Sequence, residues 1–357
     1  MCRSSSHDAP KRSVAGWIFL SFSTRPRCPD PAHDSADRGA REVDGLRRAQ
    51  FGTSAHVACD RRHLRRHHQC LRIRDQYGRL AMKRIHVVSL SPRMGTTLMK
   101  EVVGVCFEID AYSRRERRVF SEPPSGADIY LSKAPEDIMT VGPILWAQPD
   151  LHVICMVRDP RDVITSMHGK DPDRYWAGLK FWNAYLPYWR KIRDHPRFTT
   201  IKYEDFVRDP DATQRCLSTK MPFLERNVPF SKYHEVARPS QYSRDALGSV
   251  RPIRPTSVGR WRDHRSRVAG QLDLHGPITE DLVSVGYEDD GSWRQELKGV
   301  QPDRGRSHHS EYFSRTDLWI RRSMGYVGAL IVLVRRMGVE PLRLVDWIPR
   351  RWIPSQI

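Results

Sequence analysis

Strands that alternate with helical stretches limit the fold of this chain more than any other feature. Ile85–Leu90 is a short apolar run rich in β-branched residues, and a loop and the helical stretch TTLMKEVVGV follow it. Three further runs are predicted to be buried strands, namely IYLSK (129–133), LHVICMV (151–157) and FTTIKY (198–203). This alternation predicts an α/β domain with a mainly parallel central sheet that is flanked by helices on both faces.

The composition divides the chain into three parts. Residues 1–81 hold 16 lysines and arginines, of which only Lys11 is a lysine, and show no persistent apolar periodicity. Such a segment buries too little apolar surface to offset its ordering entropy. We expect it to be disordered, or to be an extension absent from a native protein that starts at Met82. A folded domain over residues 82–300 and a basic, amphipathic helical tail over residues 301–357 follow.

The charge of the chain favours anionic partners. With 60 Lys and Arg against 42 Asp and Glu the net charge is +18, which suits nucleotides, sulfated or phosphorylated ligands, nucleic acid or an acidic membrane. Seven cysteines show neither paired metal spacing nor a dense disulfide framework, so we expect a reducing, cytoplasmic location and no metal. The arginines within CDRRHLRRHHQC (59–70) would oppose a zinc ion there.

The loop after the first strand has the features of an anion site. Gly95 allows a turn that a Cβ atom would block, and the backbone N–H groups of residues 94–98 can converge on an anion. The helix N-terminus adds partial positive charge, and Thr96 and Thr97 offer hydroxyl groups. The loop lacks the lysine that follows the glycine in a Walker A motif, and its cation, Arg93, precedes the glycine instead.

The segment VRDPRDVITS is a second candidate for anion binding. Asp159 suits a helix N-cap, which puts Arg158 at the carboxyl end of a strand and lets Ser166 face the same opening. An arginine in that position can bind a phosphate through two hydrogen bonds. The alternative is a helix-capping ion pair, which fits Arg161 and Asp162.

A third basic segment, SVRPIRPTSVGRWRDH (249–264), is broken by prolines and is predicted to be a loop. Four arginines surround Gly259 and Trp261, namely Arg251, Arg254, Arg260 and Arg262. This composition suits a lid that closes on an anion. A solvated basic loop is the alternative, although solvation leaves the central tryptophan unexplained.

Taken in order, SPRMGTT, VRDPRDVITS, KYEDF and SVGRWR resemble the motifs of sulfotransferases that use 3′-phosphoadenosine 5′-phosphosulfate (PAPS). The resemblance covers roughly residues 82–295 and includes VGYEDDGSW near its end. It implies that residues 82–300 form one α/β sulfotransferase domain, of the carbohydrate or small-molecule O-sulfotransferase type. Its phosphosulfate loop would be related to that of P-loop kinases but would work without Mg²⁺.

The resemblance also implies roles for individual residues. The loop residues that would hold the 5′-phosphosulfate are Ser91, Arg93, Met94, Gly95, Thr96, Thr97 and Leu98. Those that would hold or close over the 3′-phosphate are Arg158, Ser166, Arg254, Ser257, Val258, Gly259 and Arg260, with Tyr203 near the nucleotide. Lys133 matches a lysine that approaches the sulfuryl group. Arg93 and Lys133 would then stabilise the negative charge that builds on the departing phosphate.

Two departures from the family pattern leave the general base open. Leu98 stands where cytosolic members have an aromatic residue that stacks on adenine, and Pro135 stands where they have a catalytic histidine. Some carbohydrate sulfotransferases use a glutamate between the first helix and the lysine strand. The carboxylates in that interval are Glu108, Asp110 and Glu122, each of which could equally be a solvated surface group. Spacing favours Glu122.

The tail contains a short apolar run, Tyr326–Val334, between two pairs of arginines. It is too short to span a bilayer, but with Trp347 and Trp352 it suits a helix over residues 318–353 that lies on the acidic inner face of a membrane. The alternatives are a helix that packs on the domain and a homodimer contact. A membrane position would favour a glycolipid acceptor over another saccharide or a small molecule.

An aromatic stripe is predicted to pack in the core. A helix over residues 173–192 would place Trp176, Leu179, Trp182, Leu186 and Trp189 on one face. An acceptor pocket is the alternative for this stripe.

Two other functions fit parts of the pattern. One is a P-loop-like kinase, which would need a lysine after Gly95 and acidic Mg²⁺ ligands after a strand. The other is a non-catalytic basic protein that binds anions. Nucleic acid is not an expected partner, because the disordered segment and the polyanionic donor account for the charge.

Overall fold

Five parallel strands form the central sheet. The computed structural model describes residues 82–169 and 171–339. The sheet strands are β1 (Lys83–Ser89), β2 (Ala111–Tyr112), β3 (Ile129–Lys133), β4 (Leu151–Val157) and β7 (Phe198–Lys202). β5 (Met167–His168) and β6 (Asp171–Tyr175) form a separate antiparallel hairpin. The sheet order is β2-β3-β1-β4-β7 with every pairing parallel, which confirms the predicted fold class.

The central strand, β1, pairs with β3 on one side and β4 on the other. Ile85, Val87 and Val88 of β1 have no exposed surface, as expected for a strand covered on both faces. Val87 lies opposite Lys133 on β3 and opposite Ile154 on β4. The carboxyl ends of the three strands therefore meet at one edge, and the loops that follow them converge there.

Helices flank the sheet and connect its strands. They are α1 (Thr96–Cys106), α2 (Val141–Ala147), α3 (Pro160–Ile164), α4 (Lys180–Ile192), α5 (Tyr203–Arg208), α6 (Pro210–Lys220), α7 (Tyr233–Val236), α8 (Gln241–Leu247), α9 (Arg265–His275), α10 (Thr279–Val285) and α11 (Arg315–Arg336). Short 3-10 helices lie at Pro135–Met139, Phe230–Lys232, Arg260–His264 and Ser292–Leu297.

The helix predicted over residues 173–192 begins only at Lys180. Residues 171–175 belong to β6, and Tyr175 pairs further with residues 306 and 307 through backbone contacts. The amide of Trp176 bonds the Ser166 carbonyl at 2.8 Å, so tertiary pairing overrides the helical pattern there. The buried part of the stripe, which includes Trp182 and Trp189, does pack in the core as predicted.

One face of helix α11 packs on the domain. A helix packed on the domain is one of the alternatives given above for the tail. Ile331 and Val332 are buried in the core, and Gly325 and Gly328 let the helix approach its neighbours closely. A Cβ atom on Gly328 would lie 2.6 Å from Cδ1 of Phe120. No helix in the described part of the chain is long and apolar enough to cross a membrane. The predictions for residues 1–81 and for Trp347 and Trp352 concern parts of the chain outside the described residues.

Candidate active site

The loop after β1 turns through two residues with left-handed backbone. Arg93 has a φ of +67° and Gly95 a φ of +82°, and α1 begins at the next residue. A Cβ atom on Gly95 would lie 2.8 Å from Cδ2 of Tyr203. Glycine is therefore needed for the backbone conformation and for room, because the Tyr203 ring lies directly against the loop.

The rest of the loop presents donors at the start of α1. Ser91, Met94 and Thr96 are buried, and Thr97 and Leu98 are half-buried. The Ser91 hydroxyl is buried and has no hydrogen-bond partner among the described residues. The first N–H groups of a helix also have no partner within the helix. These groups, with the positive end of the helix dipole, can bind an anion.

Lys133 joins this loop to a carboxylate. The side chain comes from the end of β3 and is 4% exposed. Its Nζ atom donates to the Thr97 hydroxyl at 2.9 Å and to Oε1 of Glu116 at 2.8 Å. The ring of Tyr242 on α8 lies 5.9 Å from the same Nζ atom. Desolvation and then the Glu116 carboxylate raise the pKa of Tyr242. A cation, a carboxylate and a phenol thus meet beside the loop.

None of the three carboxylates that the sequence offered as a general base lies beside Lys133. These are Glu108, Asp110 and Glu122. Glu122 is exposed and acts electrostatically on Arg335, while its neighbour Ser121 accepts a hydrogen bond from Arg84 at the start of β1, the opposite edge of the sheet. Asp110 accepts the amide of Ile129 at 2.8 Å, at the amino end of β3.

Glu108, the third, follows the C-terminal end of α1, where its amide bonds the Glu225 carbonyl. The structure therefore brings Glu116, which lies in the same interval, to Lys133 in place of Glu122. Among residues 82–169 and 171–339, no group of three or more His, Cys, Asp or Glu side chains could hold a metal ion.

Hydrogen bonds to buried groups fix the backbone that follows Glu116. The amide of Arg117 bonds the Lys133 carbonyl at 3.0 Å, and the amide of Val119 bonds Oδ2 of Asp137 at 2.6 Å. Arg118 forms an ion pair with Asp137 at 3.0 Å. The segment that carries Glu116 is therefore held at the end of β3, which sequence spacing alone could not indicate.

His86 completes that network from β1. Its ring bonds Asp137 through Nε2 at 3.1 Å and Ser132 through Nδ1 at 2.8 Å. Burial lowers the pKa of His86. Burial alone would raise the pKa of Asp137, but the Arg118 cation and the bond to His86 lower it. All three side chains are fully buried, so this serine–histidine–aspartate arrangement supports the structure and cannot reach a substrate.

Arg158 ties the loop to the third basic segment. Its guanidinium donates to the Arg93 carbonyl at 3.2 Å and to the Ser257 carbonyl at 2.6 Å, and lies 4.7 Å from the ring of Tyr203. The Tyr203 hydroxyl and the Ser257 hydroxyl are 2.9 Å apart. Nε of Arg158 is buried with no partner in the described residues. Three predicted site residues, Arg93, Tyr203 and Ser257, thus lie around the guanidinium of a fourth, Arg158.

Asp162 anchors the same basic segment. Its carboxylate accepts the amides of Gly259 at 2.7 Å and Trp261 at 2.9 Å. Burial raises the pKa of Asp162, against the effect of these two bonds. The sequence allowed an ion pair between Arg161 and Asp162. In the structure Arg161 instead pairs with Asp159, which also caps α3.

The position of Trp261 explains why a tryptophan lies in this loop. It is 1% exposed, and the Arg161 guanidinium lies 4.4 Å from its ring and 4.8 Å from that of Trp293. The remaining predicted site residues differ in burial. Ser166 donates to the Asp162 carbonyl at 3.1 Å, Val258 packs on the core, and Arg254 and Arg260 are exposed.

Trp176 packs against the core, as the sequence pattern predicts, and it also lies beside the loop after β1. The guanidinium of Arg93 lies 5.5 Å from its ring, and His168 stacks on it at 5.1 Å. Desolvation and then the neighbouring Arg158 cation lower the pKa of Arg93. Trp176 directly follows the hairpin of β5 and β6 and so lies beside the loop after β1, outside the predicted helix. No local signal in the sequence predicts that hairpin.

Part of the chain matches a known protein family. Residues 45–221 match the model of the sulfotransferase family, which spans the sheet and ends before the loop at 249–264. Among solved structures, the sulfotransferase domain from the curacin biosynthetic pathway is similar, with 13% identity, a TM-score of 0.35, and 59% of this chain and 99% of that chain covered. The sulfotransferase domain from the Synechococcus PCC 7002 olefin synthase has 14% identity, a TM-score of 0.32, and coverage of 51% and 88%.

Retinol dehydratase, solved with androsterone and the inactive cofactor PAP, has 13% identity, a TM-score of 0.32, and coverage of 62% and 82%. No match exists among curated proteins. These structural similarities are low overall, so the assignment rests on the family match and on the fold described above. Residues 45–221 of the chain therefore belong to the sulfotransferase family.

Proposed function

We propose that this protein transfers the sulfuryl group of PAPS to an acceptor hydroxyl or amine, by in-line transfer without a metal. The observation that carries the proposal is the position of Lys133. Its Nζ atom contacts Thr97 on the glycine loop and Glu116 on the facing segment, both within 2.9 Å. A fixed cation between an anion site and a carboxylate is the arrangement that group transfer to a hydroxyl needs.

The residues around the loop fit the proposed donor. The Ser91 hydroxyl and Nε of Arg158 are buried polar groups with no partner among the described residues, which suits contact with phosphate oxygens. The left-handed backbone of Gly95 makes the turn that leads the loop into the N-terminus of α1, where free N–H groups can bind the phosphosulfate. Arg158, Ser166 and the loop around Ser257 are proposed to hold the 3′-phosphate. The half-buried Tyr203 ring is proposed to lie near the nucleotide.

The residues of the chain then have separate roles. PAPS, when bound, supplies the sulfuryl group and the phosphate that leaves. Glu116 accepts the proton of the acceptor hydroxyl as its oxygen bonds sulfur and the bond from sulfur to the bridging oxygen breaks. Lys133 and Arg93 stabilise the negative charge that builds on that bridging oxygen. Trp176 keeps the Arg93 side chain beside the loop.

Binding of the adenosine bisphosphate product tests the donor site. The full chain is titrated with 3′,5′-adenosine bisphosphate and separately with ATP and Mg²⁺, and the melting temperature is recorded. We expect stabilisation by the bisphosphate, because ligands that bind only the folded state raise its stability. A response to ATP and Mg²⁺ alone would support the kinase alternative and refute the proposal. A weak response to both would support a non-catalytic anion-binding protein.

The outer face of α11 is proposed to lie on an acidic membrane surface, at the inner face of the cytoplasmic membrane. Every third or fourth residue along this face is exposed and either apolar or basic: Arg315, Trp319, Arg322, Tyr326, Leu330, Leu333 and Met337. The face carries no carboxylate. Anionic headgroups would neutralise its arginines, whereas a second copy of the chain would bring like charges together.

A further inference from the structure

Four arginines flank the proposed general base within the segment SRRERR, and they do not share one role. Arg118 turns inward to Asp137 at 3.0 Å and belongs to the buried network. Arg114, Arg115 and Arg117 are exposed. Within the described ranges none of these three forms an ion pair with a carboxylate. Their positive charge is therefore not held in an ion pair within these ranges.

The backbone holds these arginines beside Lys133. The amide of Ser113 bonds the Leu131 carbonyl at 2.9 Å, and the amide of Arg117 bonds the Lys133 carbonyl at 3.0 Å. The hydroxyl of Ser240 donates to the Arg114 carbonyl at 3.4 Å, which joins the segment to the start of α8. A segment whose backbone is fixed at both ends keeps the starting points of its arginine side chains beside Lys133.

Helix α8, which lies next to the segment that carries Glu116, adds an aromatic ring and further positive charge. Tyr242 of α8 is 39% exposed, and the cation of Arg115 acts electrostatically on its hydroxyl. Arg238 and Arg244 are exposed on the same part of the chain, where the nearby acid, Asp245, accepts a hydrogen bond from Gln241. The Tyr242 ring and the Arg115 cation thus lie near each other beside Glu116.

From this arrangement we infer that the acceptor carries a fixed negative charge, a carboxylate, sulfate or phosphate, beside the hydroxyl that is sulfated. The inference rests on the proposed function, because it takes Glu116 as the base. A carboxylate base repels an anionic acceptor, so unneutralised arginines on both sides of it are needed to admit one. Each charge-assisted contact of an arginine with such a group changes affinity by about tenfold or more.

Two matched pairs of probes test the inference on the full chain saturated with 3′,5′-adenosine bisphosphate. One pair is a hyaluronan tetrasaccharide and its carboxyl-reduced, neutral counterpart. The other is 4-hydroxyphenylacetate and its methyl ester. Binding is measured by calorimetry at constant ionic strength. We expect the charged member of at least one pair to bind about tenfold or more tightly than its neutral partner, and the pair that responds indicates a saccharide or a small aromatic acceptor.

The matched variants are R114Q/R115Q/R117Q and the control K220Q/R226Q/K232Q, which removes three exposed charges from another part of the chain. We expect only the first to lose the preference for the charged probes, with stabilisation by the bisphosphate unchanged in both. Equal binding of both members of each pair, or equal loss in the two variants, overturns the anionic acceptor and leaves the donor site intact. Failure of the bisphosphate to stabilise even the unmodified chain refutes the proposed function and the inference with it.

Discussion

Replacement of Glu116 by glutamine separates the basicity of this side chain from its place in the structure. Glutamine keeps the size of the side chain, and its amide oxygen can still accept the 2.8 Å hydrogen bond from Lys133. The ability to take a proton is lost, together with the negative charge that pairs with Lys133. General-base catalysis contributes roughly 10²–10⁴-fold, so kcat should fall by that factor, equivalent to about 3–5 kcal/mol in the activation free energy.

Glu122→Gln is the matched control, because Glu122 was the base favoured by sequence spacing and is exposed at the opposite edge of the sheet. Both variants are assayed by transfer of radiolabelled sulfuryl groups from PAPS, and their binding of 3′,5′-adenosine bisphosphate is measured in parallel. We expect Glu122→Gln to match the unmodified chain and both variants to keep bisphosphate binding. If Glu116→Gln retains kcat within threefold, or Glu122→Gln loses as much, the assignment of the base from the structure is refuted.

Three further predictions address the loop, the core and α11. Gly95→Ala places a Cβ atom 2.8 Å from the Tyr203 ring at a φ of +82°, so unfolding in urea should show a loss of about 1–3 kcal/mol, with weaker bisphosphate binding. Burial and the cations Arg197 and Lys83 lower the pKa of His152 from 6.5 to about 4, so the unfolded state binds its proton first. Stability should therefore fall as the pH is lowered from 7 towards 4, and His152→Gln should flatten this slope in urea titrations. Leu330→Glu should abolish sedimentation with vesicles that contain anionic lipid while the melting temperature stays the same, and unchanged sedimentation would exclude this face as the contact.

The sequence indicates the elements that local chemistry determines. β-Branched runs bounded by turns predicted the buried strands, and Asp159 before a proline predicted the start of α3, because capping depends on neighbouring residues alone. The same local signals failed for residues 173–179, where pairing of Tyr175 with residues 306 and 307 produces a strand in place of a helix.

The proposed base shows why the site was only partly predictable. Glu116 and Glu122 lie in one interval between α1 and β3, and spacing gives no means to choose between them. The choice depends on long-range bonds, in which Asp137 holds the amide of Val119 and the Lys133 carbonyl holds the amide of Arg117. The role of Asp162 was missed for the same reason, since its partners lie 97 and 99 residues further along the chain.

The single ammonium group of Lys133 serves two neighbours, Thr97 and Glu116, and this sharing has a kinetic consequence. An anion that arrives at the loop competes with Glu116 for the hydrogens of Nζ, and a carboxylate oxygen released from that bond is free to accept a hydrogen bond from the acceptor hydroxyl. The protein would then activate an acceptor only after the donor is in place. Initial-rate kinetics would show this as compulsory-order addition, with the nucleotide first and the acceptor second.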